Sequence, residues 1–339
     1  MKRNPSIELL RCLLMYGICL VHCVHRDGTC PYWIENLLLT CVCGFVFISG
    51  WFGINFTPSK ALKLYGVQFA CVVTSQVVDS LFAHRAFSLS QIGVGMRAYW
   101  FGHAYVLMML FAPCINRALD DRRCAKAILP VLIAIFGWAF SARCPILNHY
   151  VPRPDGLSMY SAFTLLGIYV AARLARRLEW DQRLKQKVLL MAVFPLAAVC
   201  GGLHLGFYNS PFAVAFSGLL FLLFLKVKCP LGRFALWLGP SMFSVYFLHM
   251  GSVTLGTGFM MKMADAMMPY CLDVRFFSLA IAAFIAFVGC IALDLPRRLL
   301  VKILDSPLRA VCTWIDDKYV RLVDRTDRYL DRPLAAKKG

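Results

Sequence analysis

Apolar positions run along this chain in long blocks, and short segments rich in charge, Pro and Gly separate the blocks. A helix rising ~1.5 Å per residue needs about 20 apolar residues to cross a hydrocarbon core of ~30 Å. Splitting the chain at its polar breaks predicts ten such helices, over 7–24, 34–54, 62–82, 100–117, 127–141, 157–174, 188–203, 207–225, 234–258 and 275–295. The expected fold is therefore all-α: a polytopic integral membrane domain over 1–300, followed by a tail over 301–339. In the tail, Leu308, Val311, Ile315, Tyr319, Leu322, Thr326 and Tyr329 recur at helical spacing between Arg and Asp residues. That pattern predicts a basic amphipathic helix on the cytoplasmic leaflet, or else a solvated helical extension.

Composition excludes several classes. Of 339 residues, 60% are hydrophobic and 16% charged, with a mean hydropathy of +0.65, against roughly 25% charged in an ordinary soluble domain. A disordered chain is excluded and a soluble globule is disfavoured. The formal net charge of +18 would suggest nucleic acid in a soluble protein, but its distribution gives another reason. With the N-terminus cytoplasmic, the inside segments hold 28 Lys and Arg and the outside loops 7, with Arg11 left within a span. This asymmetry predicts both termini on the cytoplasmic side of the cell (plasma) membrane, with the lipid bilayer as partner and no nucleic acid. The start, Met1-Lys2-Arg3 before an apolar run, imitates a signal peptide; Arg11 interrupts the run and no small-residue cleavage site follows, so the segment is kept as the first span. The fifteen cysteines form no C-x-x-C pair, and Cys12, Cys19, Cys71, Cys200 and Cys290 lie in apolar runs as small hydrophobes. Neither a metal site nor a structural disulfide is expected, although Cys30, Cys144 and Cys271 fall in outer loops.

Ionisable groups within spans are costly and mark function by default. Here they are Glu8, Arg11, His22, Asp79, His103, His249 and Asp294. Asp79 and Asp294 fall near span ends, where solvation is cheap. Arg11 and His22 stand apart: eleven residues at ~100° each come about 20° past three full turns, so both project from one face, ~16 Å apart along the axis. Glu8, three residues before Arg11, can pair with it. Imidazole can take a proton from an attacking hydroxyl at neutral pH, and Arg can hold phosphate or steady an oxyanion. The structural alternative is an Arg snorkelling to the cytoplasm and a His hydrogen-bonded between helices. Asn148-His149 with Asp155 imitates an H-x4-D motif, but its gap is one residue too long and its loop lies outside. There is no G-x-S-x-G elbow, P-loop or G-x-G-x-x-G.

These residues resemble a known family. Arg3-Asn4-Pro5-Ser6-Ile7-Glu8-Leu9-Leu10-Arg11, then Met15, Ile18 and His22, is similar to the opening of the acyltransferase family 3 membrane proteins, whose hallmark is an Arg and a His separated by ten residues. Phe45-Val46-Phe47-Ile48-Ser49-Gly50-Trp51-Phe52 resembles the second-helix apolar-Ser-Gly signature. Tyr99-Trp100-Phe101 through Tyr105, Pro113 and Asn116 resembles the fourth-helix pattern of the exopolysaccharide branch. Gly167-Ile168-Tyr169 resembles the sixth-helix segment, and Ser241-Met242-Phe243-Ser244-Val245-Tyr246-Phe247-Leu248-His249 the S-x-F-x-x-Y-L-x-H signature. The likeness covers roughly residues 3–296. It departs after the second helix, where many members carry Arg pairs and a Pro and this chain has Lys60, Lys63 and Tyr65. His103 has no counterpart and reads as a satisfied interface histidine.

The resemblance implies an O-acyltransferase, moving acyl groups other than amino-acyl groups. Its donor would be acyl-CoA, most often acetyl-CoA, and its acceptor a sugar hydroxyl of a surface polysaccharide or lipid-linked glycan. It implies His22, Arg11 and Glu8 as catalytic residues, Lys60, Lys63 and Tyr65 at the acyl-CoA, and Ser49, Trp100, Tyr105, Asn116, Tyr246 and His249 along the substrate channel, with no metal. A transporter, with Arg11 and His22 lining an ion path, is the competing class; the scarcity of membrane carboxylates and the absence of visible repeats count against it. A non-enzymatic partner of a polysaccharide synthesis complex is a third.

Overall fold

The computed structural model describes residues 3–143, 162–203, 205, 206, 208, 210–271 and 274–330, and every regular element among them is helical. Cys144, His149, Arg153 and Asp155 lie outside the described residues.

The first helix, α1 (Pro5–Asp27), shows how the local sequence sets its ends. The Asn4 side chain accepts the Ser6 N–H at 2.9 Å, Pro5 fills a first-turn position that needs no donor, and Glu8 faces the positive helix terminus. Gly28 closes the helix at φ 71°, a conformation that a residue without Cβ adopts freely. There follow α2 (Tyr32–Phe52), α3 (Pro58–Phe82), α4 (Leu89–Ala98), α5 (Trp100–Asp120), α6 (Arg122–Arg143), α7 (Ala162–Arg177) and the short α8 (Trp180–Arg183). The second half comprises α9 (Gln186–Gly202), α10 (Pro211–Lys226), α11 (Gly232–Leu238), α12 (Met242–Gly251), α13 (Thr257–Met267), α14 (Arg275–Ile303) and α15 (Asp305–Leu330).

α1, α2, α3 and α14 are each long and apolar enough to cross a membrane, and α4 with α5 meets the same test as one pair bent by 57°. α9 and α10 are apolar but shorter. α1 is the hub, packed by α2, α10, α11, α12, α13 and α14, with Ile7, Leu10, Leu14, Ile18 and Val21 buried. α2 and α7 cross at Gly50, where a Cβ would lie 2.7 Å from the Ala172 Cβ; only a hydrogen there lets the two backbones approach this closely.

Two expectations are corrected. The expected 234–258 span is broken: α11 ends at Leu238, a 3₁₀ turn occupies Gly239–Ser241, and α12 stops at Gly251. Gly239 and Pro240 interrupt the first half, and the second ends in a turn held by Asp79, whose carboxylate accepts from Ser252 Oγ, Val253 N, Thr254 N and Thr254 Oγ1 at 2.8–2.9 Å. Asp79 is thus fully used within the fold. The segment 83–99, expected as a loop, contains α4, which packs on α3. Asp294 is likewise committed, to a bidentate pair with Arg297 at 2.5 and 2.9 Å.

The tail helix α15 follows α14 almost without a break and docks on α3. Asp316 accepts from Ser59 N at 3.0 Å and Ser59 Oγ at 2.7 Å, capping the start of α3 from another helix, and Tyr319 sets its ring edge-on to Phe56. Val311, Trp314 and Leu322 stay exposed on one flank of α15. The helix holds five acids and five bases over 305–330, so its basic surplus lies elsewhere in the tail.

Candidate active site

One face of α1 carries Met15, Ile18 and His22, and all three open onto a single cavity completed by Val42, Phe45, Trp100, Phe101, Tyr208, Phe243 and Tyr246. Its accessible space is about 30 Å³, room for a water or two (~10–15 Å³ each by this measure), in a wall that is mostly aromatic. Trp100 and Tyr208 face each other with ring centroids 6.2 Å apart, and Phe101 meets Tyr246 edge-on at 5.6 Å. His22 supplies a titratable side chain to this lining.

Behind His22 stands His249. Its side chain is wholly buried, its Nε2 is 3.0 Å from His22 Nδ1, and its Nδ1 is 2.8 Å from the Val245 carbonyl one turn back in α12. His25, one turn beyond His22, points elsewhere: it is exposed and its Nδ1 lies 2.7 Å from Glu35 Oε1.

Toward the start of α1, Arg11 Nη1 donates to Glu8 Oε1 at 3.1 Å. Glu8 is buried and its other oxygen, Oε2, is wedged against Gly239 with no hydrogen-bond partner. Between the two levels, Ser49 donates to the Phe45 carbonyl at 3.1 Å, so the Tyr105 hydroxyl, 2.9 Å from Ser49 Oγ, is the donor of that pair. Tyr105 is within electrostatic range of Arg11 and its ring lies edge-on to Phe243, a cavity-lining residue. One tract therefore joins Arg11, Tyr105, Phe243 and His22.

The other expected site residues have partners of their own. Asn116 closes a ring of three hydrogen bonds with Tyr169 and the Ile54 backbone, at 2.9–3.1 Å, fastening α2 to α5 and α7. Tyr65 donates to His103 Nδ1 at 3.1 Å while His103 Nε2 donates to the Met96 carbonyl at 2.9 Å, so His103 is a satisfied interface histidine, as the sequence suggested. Lys60 bonds the Asn55 carbonyl, and Lys63 acts electrostatically on Asp305 and Asp316 of the tail. Two lining residues are not singled out by the sequence: Phe243 lies inside the signature that ends at His249, and Tyr208, within the expected span over 207–225, falls in the connection before α10. A second basic patch, visible in the sequence only as loop charge, is formed by Arg173, Arg176 and Arg177, which line a polar pocket together with Asp120, Glu179 and Asp181. Among the described residues no cluster of His, Cys, Asp and Glu has the makings of a metal site, and all cysteines are free.

Several apolar helices packed round a hub whose cavity face bears an imidazole describe a multi-pass helical membrane protein with a small interior cavity. The chain belongs to acyltransferase family 3: the family model described as an acyltransferase domain matches residues 4–295, which makes this a membrane acyltransferase at the level of the family. No curated protein and no solved structure gives a significant match.

Proposed function

We propose that the chain is an O-acyltransferase of the plasma membrane, moving an acyl group, acetyl in the first instance, from acyl-CoA to a sugar hydroxyl of a surface polysaccharide or lipid-linked glycan, in the manner of the exopolysaccharide branch. The observation that carries this reading is His22 on the wall of an aromatic-lined cavity in the interior of the bundle. Aromatic faces suit the apolar faces of sugar rings, and a base in a dry chamber keeps water from competing for the acyl group. In this reading the His22 imidazole takes the proton of the acceptor hydroxyl as that oxygen attacks the thioester carbonyl. The thiolate of CoA then leaves and recovers the proton from the imidazolium.

Arg11 has a different task. Its Cα is ~16 Å from that of His22 along α1, too far for one side chain to reach an oxyanion at His22. Arg11, held by Glu8, therefore binds the phosphate end of the donor, with the pantetheine arm running past Tyr105 toward the cavity. The cavity is too small for a sugar, so substrate binding has to open it. The charge asymmetry supports ten spans with both termini cytoplasmic, with α11 and α12 together making one broken span. The basic residues Lys60, Lys63, Arg173, Arg176 and Arg177 then stand on the donor's side.

The test is mass spectrometry of surface glycans from a deletion strain complemented with wild type or His22→Ala. Loss of acyl groups on deletion, restored only by wild type, supports the enzyme. Unchanged glycans on deletion would favour the transporter or the non-enzymatic partner.

A further inference from the structure

The pairing of His22 with His249 has a direction. A carbonyl oxygen only accepts, so the nitrogen of His249 that lies 2.8 Å from the Val245 carbonyl, Nδ1, carries a hydrogen. A neutral imidazole has one N–H, which leaves His249 Nε2 as a bare lone pair. His22 Nδ1 is 3.0 Å from that lone pair, and two lone pairs at this distance repel, so His22 Nδ1 carries a hydrogen too. The remaining nitrogen of His22, Nε2, is then unprotonated. The other way of satisfying the contact is an imidazolium on His249. That would place a cation in a site with no solvent exposure, beside the Tyr246 ring at 6.0 Å, and burying an uncompensated charge is costly.

We infer that His249 is a positioning residue: it fixes His22 in the Nδ1–H tautomer and so makes Nε2 the basic nitrogen. The inference rests on the reading of His22 as the base and adds which nitrogen acts and why. A solvated neutral histidine side chain favours the opposite tautomer, with the hydrogen on Nε2. The lone pair of His249, itself set by the Val245 carbonyl, reverses that preference at His22, whose ring also meets the Ile18 carbonyl one turn back in α1, with no carboxylate in the line. When His22 accepts a proton at Nε2, its Nδ1–H bond to His249 becomes charge-assisted and strengthens as charge develops. His249 thus does for His22 what an orienting acceptor does for a catalytic histidine in general, and loss of such an acceptor is costly through the wrong tautomer alone.

The experiment uses the full chain, ¹⁵N-labelled at histidine and reconstituted in lipid, with the His22 signals assigned by their loss in His22→Asn. Solid-state NMR near neutral pH should show His22 with a protonated Nδ1 and a bare Nε2. His249→Phe, which keeps a ring but removes the acceptor, should lower kcat by roughly 10²-fold or more with the KM for acyl-CoA little changed. His249→Gln, which restores an acceptor oxygen, should recover at least part of that loss. A wild-type His22 protonated at Nε2 overturns the inference even if the variants fail to fold, and so does a fully active His249→Phe. If His22→Ala itself retains full activity, the base assignment fails instead, so the two failures are distinguishable.

Discussion

Gly239→Ala tests the packing that holds Arg11. Gly239 has helical dihedrals, φ −46° and ψ −42°, so Ala adds no backbone strain, and in open space it would stabilise by ~0.4–1 kcal/mol through the unfolded chain. The space is not open. A Cβ built there overlaps Glu8 Oε2 and lies 2.9 Å from Glu8 Cδ, against ~3.5–4.0 Å for an ordinary carbon contact. Oε2, the nearer atom, must withdraw by more than about 1 Å, and a carboxylate shift of that size takes the 3.1 Å bond from Arg11 to Oε1 out of the ~3.2 Å hydrogen-bond range. Overpacking and a weakened charge-assisted bond each cost ~1–3 kcal/mol, enough to reverse the sign, and Arg11 loses its fixed geometry with them. The assay is thermal denaturation in detergent, with acyl transfer measured alongside, as a double-mutant cycle with Glu8→Ala. Gly239→Ala should destabilise and impair the wild type but be neutral or mildly stabilising once Glu8 is Ala. Equal destabilisation in both backgrounds, or stabilisation of the wild type, would refute the argument.

Three further expectations follow from the same geometry. Reporter fusions at Arg85 and Lys262 should read outside and those at Arg122 and Lys185 inside; Arg122 reading outside would break the ten-span topology. Lys63→Ala should raise the KM for acyl-CoA, more at low salt than at physiological ionic strength, where a Debye length of ~8 Å screens the attraction; an unmoved KM at both would leave Lys63 to its place beside the tail acids. For Asp316, desolvation raises the carboxyl pKa, but the hydrogen bonds from Ser59 and Thr57 and the nearby Lys63 outweigh it and hold the pKa below the usual value. A folded pKa below the unfolded ~3.9 means that Asp316 contributes fully to tail docking above about pH 4 and loses that contribution as pH falls through its lower folded value. Protease resistance of α15 should therefore be flat from pH 5 to 8, and Asp316→Ala should lower it at pH 7 by a cap's worth, ~0.5–2 kcal/mol.

How much of this was legible in the sequence varies with the distance over which the determinants act. The bounds of α1, α2, α3, α9 and α10 fall within a few residues of expectation because apolar length and local signals such as Asn4-Pro5 and Gly28 set them. The face shared by Met15, Ile18 and His22 was readable for the same reason, since helical period alone fixes it. The break at Gly239 and Pro240 is written in a local breaker pair that a hydropathy window averages away; what no local signal shows is that Glu8, 231 residues earlier, occupies the space a side chain at 239 would need. His22 and His249 could each be flagged as costly groups in lipid, but their pairing spans 227 residues and follows from packing of α1 on α12. The resemblance implies a channel contact for Asn116 and a donor contact for Tyr65, and a motif does not say what else each side chain bonds. The structure shows their hydrogen-bonding groups engaged within the bundle.

The central claim is that His22 is the base, and acyl transfer measured side by side for His22→Ala and His25→Ala, at matched expression in membranes, tests it most directly. Loss of a general base typically costs 10² to 10⁴ in rate, so ~10²-fold or greater loss is expected for His22→Ala, while His25→Ala, which removes an exposed ring paired with Glu35, should stay near wild type. Near-normal transfer by His22→Ala together with an inactive His25→Ala would contradict the account and move the base to the other histidine.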